Sequence, residues 1–223
     1  MFTRYAIYYA PGGAFSRSGA AWLGWDIDTG RNVPHPVIEG HDIAALTQTP
    51  RKYGFHGTIK APFVLADDTD EAGLIAATQD LCVSLKPASL EGLEVAAMGP
   101  FLTLVPKGDK SDLTEIAAKV VRSLDVFRAP PSEAELARRR KSNLTPEQDE
   151  NLVRWGYPHV MDHFRFHMTL TGRVPRGVIR DVKPLAEAYF AETLPAPFVI
   201  DALTLVGERS DGQCVTIQRI PLG

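Results

Sequence analysis

Two stretches of this chain repeat one order of elements, and that repeat limits the folds open to it. Residues 54–64 and 163–171 are extended, alternating runs, and each carries His-x-Thr: His56-Gly57-Thr58 in the first, His167-Met168-Thr169 in the second. Each is followed by apolar residues at helical spacing, over 71–85 and 178–193, with Pro184 expected to kink or break the second helix. Each helix leads to two short apolar runs, 93–98 with 101–105, and 198–206 with 214–220. The second pair turns through Ser210-Asp211-Gly212, which has the residue chemistry of a hairpin turn. Two copies of one strand-helix-strand-strand unit, packed about an approximate twofold axis, bring both histidines to one shared cleft.

Side-chain parity says what that cleft holds. Along a strand, alternate residues face opposite sides. His56, Thr58 and Lys60 fall on one face, opposed by Phe55, Gly57 and Ile59; Arg165, His167, Thr169 and Thr171 oppose Phe164, Phe166, Met168 and Leu170. Each strand thus has an apolar face for helices and a polar face with histidine, threonine and a cation. An ordinary solvent-facing sheet surface fits that pattern, and so does a cleft built for an anion. The matched place of the two motifs in the repeat favours the cleft.

The rest of the chain sets bounds. At 223 residues, 44% hydrophobic and 23% charged, it has the make-up of a soluble globular protein with a sizeable core. A net charge of -3 argues against wholesale nucleic-acid binding, and no stable nucleic-acid complex is expected. Cys82 and Cys214 have no CxxC spacing and read as buried thiols of a reducing compartment. No run is long enough for a membrane span, and the N-terminus lacks a signal-peptide core, so the expected location is cytoplasmic. The expected organisation is one two-lobed domain over 1–223, with lobe units near 54–106 and 163–221. An N-terminal strand at 4–10 and a helical connection over about 111–157 complete it.

The paired motifs resemble those of the two-histidine (2H) phosphoesterase superfamily, which includes RNA ligase-like cyclic phosphodiesterases. The segments RYAIYYAP, AWLGWD, RKYGFHGTIKAPF, RRRKSNLTPEQDENLVRWGYPHVMD and FRFHMTLTG are similar to one branch of it. That branch holds bacterial phosphonate-metabolism-associated proteins, domain of unknown function 1045. The likeness spans nearly the whole chain. It implies an α+β, bilobal fold: two antiparallel sheets with outer helices, related by a pseudo-twofold, around a central cleft.

The residue types suit hydrolysis of a phosphoester, in particular a cyclic phosphodiester, without metal or cofactor. One imidazole takes the proton of an attacking water and the other protonates the departing alkoxide, both near neutral pH. The sequence leaves open which does which. Thr58 and Thr169 are placed to donate to the non-bridging oxygens, and Lys60, Arg165, Arg51 and Tyr53 are candidate phosphate or substrate contacts. The expected partner is a small phosphorylated molecule, such as a nucleotide or a ribose cyclic phosphate. Two other readings stay open. His159, His163 and His167 recur every four residues around Asp162, as in a helical metal site. Alternatively, basic and aromatic residues, including the run at 138–141, make a non-catalytic nucleotide-binding module.

Overall fold

The computed structural model describes residues 2–223. The chain opens with β1 (Arg4–Tyr9), apolar at nearly every position and buried on both faces. Helix α1 (Gly13–Leu23) leads to a short hairpin of β2 (Trp25–Asp26) and β3 (Arg31–Asn32). Two single-turn helices follow, α2 (Ile43–Leu46) and α3 (Gln48–Arg51).

The first repeat unit then runs β4 (Gly57–Phe63), α4 (Glu71–Ser84), β5 (Ala88–Leu90), β6 (Gly92–Met98) and β7 (Phe101–Lys107). The connection holds α5 (Ser111–Ser123), α6 (Glu133–Arg140) and α7 (Pro146–Trp155). The second unit is β8 (Met168–Thr169), α8 (Arg176–Phe190), β9 (Phe198–Ile200), β10 (Ala202–Glu208) and β11 (Cys214–Pro221). The units match element for element. Each has one more strand than periodicity shows, because β5 and β9 are too short to alternate visibly. Those two pair antiparallel with each other, Ser89 opposite Val199.

The long strands form one sheet in the order β11-β10-β1-β4-β8-β7-β6. Its two antiparallel halves, β11-β10-β1-β4 and β8-β7-β6, join where β4 meets β8 at the pair Gly57↔Met168. The expected pair of sheets is therefore two halves of one continuous sheet. Strand β1 takes, between β4 and β10, the place that β7 has between β8 and β6.

One face of this sheet carries the main core. Ile7 and Tyr9 of β1, Ile59 of β4, Met168 of β8, Leu102 and Leu104 of β7 and Leu203 and Leu205 of β10 pack with residues of α1, α4, α5 and α8. The helical readings hold. Helix α8 continues through Pro184 without a break, and Val182, Ala186 and Phe190 keep its inner face fully buried on the core. Cys82 and Cys214 are both buried and unbonded to each other. Among the described residues, no helix is long and apolar enough to cross a membrane.

The second motif strand also needs correcting. Only Met168 and Thr169 join the ladder; Met161–His163 is a 3₁₀ turn, and residues 164–167 are unpaired. The alternation survives without the ladder. Phe164, Phe166, Met168 and Leu170 are buried, while Arg165 is exposed and His167 and Thr169 are partly so.

Candidate active site

The face of the sheet opposite the main core holds the candidate site. Gly57 and Met168 are directly opposed and both sit on the core side, so their neighbours turn the other way. That register sets Thr58 across from His167 and His56 across from Thr169, with the two histidines on a diagonal. Side chains on such a diagonal stand about 7–8 Å apart at their roots, close enough to flank one phosphoryl group.

Packing fixes both motif strands. The indole of Trp22 donates to Leu170 O at 2.9 Å, and the Thr103 hydroxyl donates to Met168 O at 2.7 Å. Gly57 is required where it lies: a Cβ there would come within 2.3 Å of the Phe166 ring. Gly54, two residues before His56, has φ of +73°, and a Cβ on it would meet Ile27 at 2.7 Å.

The two imidazoles are held alike. His56 Nδ1 lies 3.0 Å from Gly54 O and His167 Nδ1 2.8 Å from Arg165 O, so each ring bonds the carbonyl two residues upstream. A carbonyl only accepts, so both Nδ1 atoms carry hydrogen and both Nε2 atoms are left for chemistry. His56 Nε2 is 3.1 Å from the Thr58 hydroxyl, which donates to it. Tyr8 stacks on His56 with ring centroids 3.7 Å apart. Tyr8 is itself packed in a second small core with Trp25, Ile27, Val206 and Cys214.

Burial pushes the His56 pKa down to about 4; the Gly54 bond opposes this, and charge on His167 lowers it further. His56 is therefore neutral at ordinary pH, with the Nε2 lone pair available. That the two imidazoles sense each other's charge agrees with the diagonal placement.

A cavity of about 550 Å³ opens beside the motifs, a usual size for a small-molecule site. Its lining includes Thr58, His167, Arg165, His159, Tyr157 and Phe101. It reaches the first motif at Thr58, whose hydroxyl lies 3.1 Å from His56 Nε2; His56 and Thr169 are not among the lining residues. Tyr8, Tyr157 and Phe101 are site residues that sequence reasoning missed. The signal for Tyr8 was its strand: Tyr8 pairs with Thr58, so the two share a face.

Three of the expected contacts lie elsewhere. Lys60 does not share the face of Thr58, because β4 bulges between them: Tyr8 pairs with Thr58 but Ile7 pairs with Lys60. The extra residue, Ile59, reverses the alternation. Lys60 is 3% exposed, and its ammonium donates to Val121 O and Asp125 Oδ1, both at 3.2 Å. Arg51 ties loops together, donating from Nε to Leu23 O at 3.0 Å and from Nη2 to Ala44 O. Tyr53 packs against the second core under Lys52, 5.0 Å from its ring. Arg165 does reach the cavity.

The connection is engaged largely with itself. In the basic run, Arg139 pairs with Glu135 at 2.9 Å and Arg140 with Asp149 at 2.7 Å. His159 and His167 line the cavity but His163 does not. The unpaired, extended backbone before His167 undoes the helical spacing a metal site required. Among the described residues there is no group of three or more His, Cys, Asp or Glu that could hold a metal ion.

Comparison with known proteins places this chain in a family. Residues 58–216 match the family described as "Protein of unknown function (DUF1045)", and the chain belongs to it. Two curated relatives are both named ribose 1,5-bisphosphate phosphokinase PhnN. One, from Janthinobacterium sp. (strain Marseille), is 36% identical over 229 residues, covering 98% of this chain and 51% of the relative. The other, from Laribacter hongkongensis (strain HLHK9), is 32% identical over 226 residues, covering 97% and 51%. The chain thus spans about half the length of the curated relatives it matches. Among solved structures, a phosphoesterase aligns with TM-score 0.49 at 12% identity, covering 100% of this chain and 99% of its own. E. coli LigT in its apo form aligns with TM-score 0.48 at 12% identity, covering 100% and 98%.

Proposed function

We propose that this chain is a metal-independent phosphoesterase that opens a cyclic phosphodiester between His56 and His167. The observation that carries the proposal is the Gly57↔Met168 pairing, which puts both His-x-Thr motifs on one face with the histidines on a diagonal. The likeness of those motifs to the 2H superfamily supports it. Both lobe units act as one domain in this proposal, since each supplies one histidine.

The step is a single in-line displacement. His56, neutral and with Nε2 free of hydrogen, takes a proton from water as the oxygen attacks phosphorus. His167, protonated, gives its Nε2 hydrogen to the departing alkoxide. The ring opens to a phosphate monoester and a free hydroxyl, and the histidines exchange charge. Thr58 turns its hydroxyl from His56 to a non-bridging oxygen, and Thr169 donates from the other side. Hydrogen bonds aimed at developing charge in a cavity gain strength from the excluded water.

The names of the curated relatives bear on the substrate. Opening a 1,2-cyclic phosphate of ribose 5-phosphate yields ribose 1,5-bisphosphate, the compound in those names. The present sequence has no G-x-x-x-x-G-K-[ST] phosphate-binding loop, which supports assigning the phosphokinase activity to the other half of those relatives.

The test is turnover of a panel of cyclic phosphates, ribose 1,2-cyclic and nucleoside 2′,3′-cyclic, by purified protein under exhaustive chelation. Ring opening that survives chelator and is lost on H56A and H167A is the expected result. Activity that vanishes with chelator, or persists in both variants, overturns the proposal.

A further inference from the structure

One wall of the cavity gathers basic groups that the displacement step does not use. His159 and Arg165 line it beside His167, and no acidic residue among those described lines it with them. Arg165 is anchored there, since its Nη1 donates to Asp162 O at 3.0 Å and to Phe164 O at 2.7 Å. His159 is held by aromatic packing: the Tyr157 ring meets it nearly edge-on, centroids 5.5 Å apart. Arg139 sits over that ring, 5.1 Å from its centroid, and shares its charge with Glu135. It thus supports the ring, while the basic groups that line the wall are His159 and Arg165.

Burial lowers the His159 pKa first, and the charges of His163, His167, Arg139 and Arg165 lower it further. Like charges brought together on a cavity wall repel one another, and an anion seated among them relieves that repulsion. A single phosphoryl group at the motifs already has two imidazoles and two threonine hydroxyls. His159 and Arg165 line the same cavity and are left over from that set.

We propose that His159 and Arg165 form a second phosphate subsite, which takes a terminal phosphate monoester on the same molecule whose cyclic diester is opened. This rests on the proposed hydrolysis and narrows its substrate class to cyclic phosphodiesters that carry a separate monoester. A monoester is close to dianionic at neutral pH, and a guanidinium with a protonated imidazole suits it by charge-assisted hydrogen bonds.

The experiment has two arms. The first follows the His159 imidazole resonance of the full chain during titration with ribose 5-phosphate, which has a monoester and no cyclic ester. A saturable shift with a raised His159 pKa, and at least fivefold weaker binding in R165Q, is expected. A His159 resonance that ribose 5-phosphate leaves unmoved overturns the subsite whatever the turnover. The second arm compares kcat/KM for ribose 1,2-cyclic phosphate with and without a 5-phosphate. A preference of at least tenfold for the phosphorylated form, reduced about tenfold in H159Q and R165Q, is expected; equal losses on both substrates overturn the subsite. If neither substrate turns over, the hydrolysis fails while the first arm still decides the subsite.

Discussion

Gly57 and Met168, the middle residues of the two His-x-Thr motifs, are directly opposed across β4 and β8. An antiparallel pair has a local twofold axis between its partners, so the axis relating the two units passes between these residues. The β5–β9 pairing, also between equivalent strands, lies on the same symmetry. The proposed site therefore lies at the axis, where the register sets each histidine across from the other motif's threonine.

Gly57→Ala tests that junction. The added methyl would meet the Phe166 ring at 2.3 Å, and Phe166 directly precedes His167. Overpacking of this kind costs about 1–3 kcal/mol. The expected outcome is a lower Tm together with a loss of kcat/KM, because moving Phe166 moves His167. A variant with a lower Tm but normal kcat/KM would show that the register tolerates the shift.

His56→Ala and His167→Ala should each lower kcat by about 10²–10⁴-fold, the usual contribution of a positioned acid or base. The double variant should be little worse than either single one, because groups acting in one step are strongly non-additive. Circular dichroism should show all three folded. Losses that multiply in the double variant would mean that the histidines act in separate steps.

The repeat in the sequence picked out the two motifs, and parity assigned their side chains to faces. Arg165, His167 and Thr169 face away from the core even though only two residues of that segment join the sheet, because Phe164, Phe166 and Met168 are buried regardless of ladder bonds. Lys60 was misplaced for a reason that parity cannot contain. A one-residue bulge leaves no mark in a strand whose residues on both faces are acceptable. Tyr8 was hidden in a run of apolar residues buried on both sides, and Tyr157 lies in a turn with no periodicity at all.

Lys60 and Asp125 give a contrast between stability and activity. Asp125 takes Lys60 at 3.2 Å and Arg128 at 2.8 Å, and Lys60 is nearly fully buried. Asp125→Asn leaves the buried ammonium without its counter-charge and should destabilise by about 3–5 kcal/mol. Lys60→Met leaves Asp125 with Arg128 and should be tolerated, with kcat close to wild type, since the ammonium is not in the cavity. Denaturant midpoints for both variants, and turnover by Lys60→Met, check this. A large kcat loss in Lys60→Met at unchanged stability would return Lys60 to the site.

The depressed pKa of His56 makes stability depend on pH with a definite sign. In the unfolded chain the imidazole has the ordinary value near 6.5, and in the folded protein burial brings it to about 4. Between these values the unfolded chain binds a proton that the native protein refuses, so stability rises with pH there. The contribution is fully present above about pH 6.5 and is lost as pH falls toward 4. One pKa unit corresponds to about 1.4 kcal/mol, and partial exposure of the ring reduces the whole effect to about 1–2 kcal/mol. Unfolding free energies of wild type and His56→Gln at pH 7 and pH 4 measure it. The wild type should lose about 1–2 kcal/mol more than the variant on acidification. Equal losses would mean that the folded imidazole titrates near its ordinary value, and that His56 is not set apart from His167 as the neutral partner.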